Sequence, residues 1–106
     1  MGITKSNLAL PTVDRFGGCL VSFKDEWIFS LAGEKVMDNE MYSIEYNSWH
    51  PVPSLNKERA DASSCEHGDF IYTFGGLKSV AGYQLADIEI FNAAKFIKDT
   101  LEGKVS

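Results

Sequence analysis

The chain contains little cysteine and histidine, no cluster of basic residues and no long hydrophobic run. Its two cysteines and two histidines include no Cys-x-x-Cys pair and no second ligand at the spacing typical of a zinc site. The net charge of −5, from 15 acidic and 10 basic residues, lacks the basic footprint of a nucleic-acid-binding protein. No apolar stretch approaches the roughly 20 residues that cross a bilayer, and the N-terminus lacks the apolar core of a secretory signal. We therefore expect a soluble, cytoplasmic chain with no nucleic-acid or membrane partner.

What the chain does contain is a pattern that occurs twice, an aromatic apolar run that stops at glycine. Three pairs of matching residues lie 43 positions apart in the two copies, namely Trp27 with Phe70, Phe29 with Tyr72, and Gly33 with Gly76. A later Ile-Glu pair, at residues 44–45 and again at 88–89, repeats after 44 positions. A repeat of this length is typical of stacked units that cannot bury their faces alone. It indicates binding rather than catalysis.

The two cysteines, Cys19 and Cys65, both lie in runs of apolar or small residues. Such positions predict two reduced and mostly buried thiols, which agrees with a reducing compartment. A disulfide between the neighbouring units stays open as the alternative.

Alternating apolar residues predict β-strands through most of the chain. In the first aromatic run, Trp27, Phe29 and Leu31 alternate with Ile28 and Ser30, which is the period of a strand. The predicted strands cover residues 18–23, 27–33, 41–46, 49–53, 60–65, 70–75 and 85–91. The predicted fold class is therefore all-β.

Pro51 and Pro53 lie in the fourth predicted strand. Because proline cannot donate a backbone hydrogen bond to a neighbouring strand, this segment is compatible only with an edge strand or an extended segment. We expect the first unit to end with an outer strand.

The C-terminal tail allows two interpretations. Asn92 could cap the start of a helix and Gly103 could end it, and four apolar residues between them recur at helical spacing, namely Ala93, Phe96, Ile97 and Leu101. The register of the repeat instead favours an extended strand. We predict a short helix.

The order of elements resembles the kelch repeat, which has an arginine, a strand, a turn, an aromatic strand that ends at Gly-Gly, a variable loop, a third strand and a tryptophan strand. The matching residues are Arg15, 27–33, Tyr42 and Trp49 in the first unit, and Arg59, Gly75, Gly76 and 85–92 in the second. A WD40 propeller has a similar period. However, no Trp-Asp pair closes either unit, and the paired glycine favours kelch.

The resemblance implies a kelch-type β-propeller fragment of about two four-stranded antiparallel blades. Residues 1–14 would end a preceding blade or form an N-terminal extension, 15–58 and 59–92 would be the two repeats, and 93–106 the tail. The motif positions are Trp27, Phe29, Gly33, Tyr42, Trp49, Tyr72, Gly75, Gly76 and Glu89, with both tryptophans expected between blades. Two departures stand out. Ala32 replaces the first glycine and resists the positive φ that glycine permits, and no tryptophan follows Asn92, so the second blade is expected to be incomplete.

Four loops are expected on one face, because strands alternate direction in a meander. They cover residues 34–40, 77–84, 11–14 and 54–58, and loops of this kind carry the variable chemistry of a scaffold. The resemblance implies that Arg15 and Arg59 contact an acidic peptide, since a guanidinium binds a carboxylate with two hydrogen bonds. The alternative is that each arginine packs on the neighbouring blade and satisfies backbone carbonyls. The candidate partner-binding residues are Arg15, Arg59, Asp38, Glu40, Lys78 and Tyr83.

We therefore predict a protein-interaction module and not an enzyme. Kelch-like propellers often serve as substrate receptors of cullin-type ubiquitin ligases or as actin-associated scaffolds. The alternative is a fragment of a kelch-like enzyme such as a galactose-oxidase-like copper oxidase, although no residue here matches its copper ligands. Glu66, His67 and Asp69 could bind a cation, but polar turns of this kind are common without any function. No metal or cofactor is predicted, and self-association through open blade faces is expected.

Overall fold

Two antiparallel sheets and one short C-terminal helix form the fold in the computed structural model, which describes residues 17–78 and 83–102. The all-β prediction is confirmed in its coarser form, a mostly β chain. None of the helices in the described ranges is long and apolar enough to cross a membrane.

The first sheet has four strands in the order β1-β2-β3-β4. The strands are β1 (Cys19–Phe23), β2 (Trp27–Leu31), β3 (Asn39–Ser43) and β4 (Ser48–Val52). Strand β4 lies at the edge, as the proline pattern predicts, and Pro51 pairs with Glu40 of β3. The missing N–H of Pro51 therefore does not interrupt an interior strand.

Strand β3 begins and ends earlier than its predicted range of 41–46. Ile44 and Tyr46 are exposed and belong to the β3–β4 turn. Ser43 Oγ accepts a hydrogen bond of 3.1 Å from Tyr46 N–H, and Asn47 takes a positive φ of 48°. This local turn chemistry outweighs the strand preference of the branched and aromatic side chains.

The second sheet has three strands in the order β5-β6-β9, and a two-stranded ribbon lies in the loop between β6 and β9. The sheet consists of β5 (Ser63–His67), β6 (Phe70–Phe74) and β9 (Ile88–Asn92), and the ribbon of β7 (Leu77–Lys78) and β8 (Tyr83–Gln84). The predicted starts at 60 and 85 are wrong. Ala60 instead pairs with Leu77, and Asp61 takes a positive φ of 57°, which separates this bridge from β5.

A short helix follows β9 directly, where a fourth strand would otherwise lie. Helix α1 (Ala93–Ile97) begins as predicted, because Asn92 Oδ1 accepts a 3.0 Å hydrogen bond from Lys95 N–H. A π-helical turn, Lys98–Glu102, continues it. Gly103, the predicted end, lies outside the described residues.

The repeat is present in the structure, but part of its predicted register is wrong. Strands β2 and β6 keep the 43-residue offset, whereas β3 and β9 are 49 residues apart, because the ribbon adds residues to the second unit. Glu89 faces Thr73 in the ladder, and Glu40 faces Ser30. The structural equivalent of Glu89 is therefore Glu40 and not Glu45.

The hydrophobic core lies between the two sheets. Phe29 is 0% exposed, and its ring packs edge-on against Phe23 at 6.0 Å and Phe91 at 6.1 Å between centroids. Ala93 and Ile97 of α1 belong to the same cluster. The core therefore unites the first sheet, one side of the second sheet and the helix.

The cysteines differ from the prediction of two mostly buried thiols. Cys65 is exposed, Cys19 is half-buried, and neither forms a disulfide. The Cys19 Sγ lies 3.1 Å from Ser64 Oγ, so this thiol contacts the other sheet.

Ala32 adopts the backbone conformation that glycine takes in the second unit. Its φ is 63°, against 57° for the equivalent Gly75, although this region costs an L-residue about 1–2 kcal/mol. The conformation directs Ala32 N–H to Asn39 Oδ1 at 3.1 Å and Gly33 N–H to the Arg59 carbonyl oxygen at 2.8 Å. Alanine was expected to resist a positive φ, but the turn at Ala32 has the same left-handed conformation as the turn at Gly75.

Candidate functional site at the loop end of the sheets

The loops at one end of the strands meet, as a meander predicts. In the β2–β3 loop, Lys35 N–H donates a 2.7 Å hydrogen bond to Glu58 Oε2 of the β4–β5 connection. That connection joins the ribbon where Ala60 and Leu77 exchange backbone hydrogen bonds of 2.8 and 2.7 Å. The described parts of three of the four predicted loops therefore lie together. Residues 79–82 of one of them, and the whole fourth loop, 11–14, lie outside the described residues.

A cleft of about 390 Å³ lies between these loops. We call it the loop cleft, and its lining residues are Met37, Asn56, Lys57, Glu58, Lys78 and Leu85. Met37 is exposed and Leu85 is half-buried. The loop cleft therefore combines an apolar surface with three charged side chains.

The two lysines of the loop cleft differ in their partners. Lys57 Nζ lies 3.0 Å from Asp87 Oδ2. The hydrogen bond from Lys57, with a smaller effect of Arg59, lowers the pKa of the Asp87 carboxyl from its ordinary value, against the opposing effect of desolvation. Within the described residues, Lys78 has no side-chain partner. Its ammonium is available to an anionic group of a ligand.

Arg59 follows the cleft residues in the chain and is 0% exposed. Its Nε donates to Glu89 Oε2 at 2.9 Å, and its Nη1 donates to the carbonyl oxygens of Gly75 at 2.8 Å and Asp87 at 3.4 Å. Its Nη2 lies 3.0 Å from Asp87 Oδ1, an ion pair without an aligned hydrogen bond. The predicted contact of Arg59 with a partner is wrong, because a buried and occupied guanidinium cannot reach a peptide carboxylate. As in the alternative, it satisfies backbone carbonyls, though within its own unit.

Glu89 organises the β4–β5 connection from the second sheet. Its Oε1 accepts a 2.6 Å hydrogen bond from Asn56 N–H, and its Oε2 accepts one of 3.2 Å from Lys57 N–H in addition to that from Arg59. The carboxylate is 12% exposed. Two cleft residues are thus held in place by one buried acidic side chain.

The remaining predicted partner-binding residues are spread over different environments. Asp38 is exposed next to the loop cleft, where its Oδ1 accepts a 3.2 Å hydrogen bond from Ser54 Oγ. Glu40 is 3% exposed within β3, so its predicted place in a loop is wrong. The backbone of Tyr83 pairs with that of Lys78 in the ribbon, but the Tyr83 side chain is not among the described parts of the structure. Arg15 also lies outside the described residues.

The aromatic motif residues do not all lie between the sheets. Trp27 packs against the core as expected. Trp49 is half-buried on the other side of the first sheet, with its ring 5.1 Å from Tyr42, so it does not lie between the two sheets of this chain. Tyr72 is half-buried on the uncovered side of the second sheet and stacks with Phe74 at 6.4 Å.

The histidines lie in separate sheets. His50 belongs to β4 and His67 to β5, and the part of the chain that the structure describes contains no group of three potential metal ligands. In the polar turn, Glu66 Oε2 accepts a 2.8 Å hydrogen bond from Lys24 N–H, and Asp69 lies 3.7 Å from Lys24 Nζ. These carboxylates join the two units at the end opposite the loop cleft.

Of the cleft residues named above, only Lys78 was a predicted partner-binding residue; sequence reasoning missed Met37, Asn56, Lys57, Glu58 and Leu85. The signal for Met37 and Lys57 was their position in loops expected to converge. Leu85 was predicted to begin a strand, but it follows the ribbon, and its N–H donates a 2.8 Å hydrogen bond to the Gly76 carbonyl oxygen.

No protein-family model matches the chain, and no curated protein matches it.

Proposed function

We propose that this chain is a kelch-type β-propeller segment of about two blades that binds a protein or peptide partner through the loop cleft. The observation that carries the proposal is the meeting of loops from both units around Met37, Leu85 and the available ammonium of Lys78. A cleft that joins an apolar surface to a few polar groups is typical of a binding site. Binding through such loops agrees with the use that kelch-like scaffolds make of them.

The kelch assignment is supported by geometry that both units share. The left-handed residue pairs are Ala32 with Gly33 and Gly75 with Gly76. In both units the pair directly follows the second strand. The first unit also completes a four-stranded meander with an outer tryptophan strand. The domain organisation implied by the resemblance, with repeats at 15–58 and 59–92, belongs to this proposal.

The cleft chemistry favours a peptide that carries an acidic side chain beside an apolar one. Lys78 supplies a cation without a competing carboxylate among the described residues, and Met37 offers a flexible apolar contact. Lys57 is already paired with Asp87, so its charge contributes less to a ligand. In a parent protein, such a cleft suits a substrate receptor or a scaffold.

The cleft rests on a rigid base, which lowers the ordering cost of binding. Glu89 fixes the backbone of Asn56 and Lys57, and Arg59 ties that connection to the second sheet. Preorganised loops lose less conformational entropy when a ligand binds.

A random peptide display library panned on the whole chain tests the proposal. We expect enriched peptides to combine Asp or Glu with an apolar residue, and Lys78→Glu to weaken their binding about tenfold, which corresponds to about 1.4 kcal/mol. Lys98→Glu is the matched control, because Lys98 is exposed and lies in the π-helical turn that follows α1, at the opposite strand end. Equal loss in both variants, or enriched peptides insensitive to Lys78→Glu and Met37→Asp, would overturn the assignment of the loop cleft.

A further inference from the structure

One apolar face of the second sheet is covered by no other element of the described residues. We call it the open face, and it consists of Phe70, Tyr72, Phe74, Ile88 and Ile90. Ile90 is 61% exposed, and Ile88 is about half exposed. Apolar patches of this kind on soluble proteins mark interaction surfaces.

In the first sheet, the face at the equivalent repeat positions is covered by the second sheet. Its equivalent positions are Trp27, Phe29, Leu31, Asn39 and Met41. Phe29 and Met41 are 0% exposed, because Ile71 and Phe91 on the opposite side of the second sheet pack in the same core. Within one chain, the face of one unit is thus covered by the back of the next.

The side of the first sheet that faces away from the second sheet is also apolar. We call it the outer back, and it consists of Leu20, Ile28, Tyr42 and Trp49. Ile28 and Tyr42 occupy the positions that Ile71 and Phe91 occupy in the second sheet. Leu20 is 69% exposed, and the other three are half-buried. One molecule therefore carries both halves of the contact that already joins its two sheets.

We propose that the open face binds the outer back of a second copy of this chain. The internal contact between Phe29 and Phe91, with ring centroids 6.1 Å apart, predicts an equivalent contact between Tyr72 and Tyr42 of the partner subunit. Because the two surfaces differ, the contact is heterologous, and association continues from copy to copy until a ring closes.

This contact is independent of peptide binding. The loop cleft lies at the ends of the strands, whereas the open face and the outer back lie on the broad sides of the sheets. Loss of self-association would leave the proposed peptide binding intact, and the reverse also holds.

Sedimentation velocity of the whole chain and three variants tests the contact. Ile90→Asp places a charge on the open face, Leu20→Asp places one on the outer back, and both sites are exposed, so the fold is retained and circular dichroism checks it. We expect the wild-type mass to exceed 11.8 kDa severalfold and each variant alone to fall to that monomer mass. Tyr46→Asp, in the exposed β3–β4 turn, is the matched control and leaves the assembly unchanged.

Mixing the two face variants gives the sharpest result. Ile90→Asp keeps the outer back and Leu20→Asp keeps the open face, so the mixture forms one-to-one dimers that grow no further. A monomeric wild-type chain would overturn the proposal. So would a Leu20→Asp chain that still dimerises alone, because that result indicates a symmetric contact between two open faces.

Discussion

At the scale of single residues, Arg59 joins the β4–β5 connection beside the loop cleft to the second sheet by its ion pairs with Asp87 and Glu89. Its guanidinium is fully buried, and the nearer of its two carboxylate partners, Glu89, is 12% exposed. A buried pair of this kind is costly to form, but removing one member is costlier, because the other charge then lacks compensation. The pair therefore fixes the local structure more firmly than its net contribution to stability suggests.

Arg59→Met should lower the free energy of unfolding by about 3–5 kcal/mol, since it leaves the Glu89 carboxylate without its guanidinium partner. Urea denaturation measures this change. The matched control is Lys57→Met, which removes an ammonium from an exposed pair with Asp87 and should cost no more than about 1 kcal/mol. Similar losses for the two variants would contradict the anchoring role of Arg59.

Gly76 is confined by the backbone around it. Its φ is 90°, and a Cβ at this position would lie 2.8 Å from the Ala60 carbonyl oxygen. That oxygen accepts the 2.7 Å hydrogen bond from Leu77 N–H, so it cannot retreat without breaking the bridge between connection and ribbon.

Gly76→Ala should therefore destabilise the protein by about 1–3 kcal/mol more than the backbone strain alone. Gly68→Ala isolates the strain, because Gly68 has a φ of 60° with no atom within 4 Å of the added carbon, and it should cost about 1–2 kcal/mol. Thermal unfolding of both variants checks the difference. Equal costs would mean that the close approach at Gly76 is unimportant.

Residue roles were only partly predictable from the sequence. The two alternatives for Arg59 could not be separated, because burial depends on β9, which is distant in sequence. Glu40 was wrongly placed in a loop, since a charged residue after a polar stretch reads as exposed. Its burial follows from its position opposite Ser30 in the pairing of β2 with β3. This pairing register cannot be read from the sequence.

At the scale of elements, patterns with a local cause were predicted best. Strands β2 and β6 follow from period-two aromatic runs, the edge position of β4 follows from Pro51, and the start of α1 follows from Asn92. Strand β3 was misplaced because aromatic and branched residues continue into the turn after Ser43. The ribbon β7–β8 was missed because two-residue strands leave no periodic signal.

Asn92→Ala should remove the cap of α1 and lower stability by about 1 kcal/mol, the usual cost of losing such a side-chain acceptor. Amide hydrogen exchange at Lys95 N–H is the most local measurement, and we expect faster exchange there. Asn92→Asp keeps the acceptor oxygen and should preserve protection. If both substitutions accelerate exchange equally, the side chain of Asn92 is not the cap.

At the scale of the whole molecule, two units of one repeat pack face to back. The repeat itself was predictable from residues 43 positions apart, but the direction of stacking was not. Cys65 shows why, because it was expected to be buried and is exposed on the side of β5 opposite to Ser64. A strand places neighbouring residues on opposite faces, and only the packing decides which face is covered.

This packing leaves one apolar surface at each end of the pair, the open face and the outer back. The loop cleft is formed across the two units and so depends on how they stack. Both the proposed peptide binding and the proposed self-association therefore follow from a single geometric relationship.

Disulfide trapping tests that relationship most directly. Cys19 Sγ lies 3.1 Å from Ser64 Oγ across the two sheets, so Ser64→Cys in a Cys65→Ser background should form an intramolecular bond to Cys19 on mild oxidation, seen as a loss of two hydrogens in the intact mass. The wild-type chain is the control, because its second thiol, one position later, lies on the opposite face of β5 and should form no such bond. Failure of the Ser64→Cys chain to close this bond, or equal closure through Cys65 in the wild-type chain, would contradict the face-to-back packing.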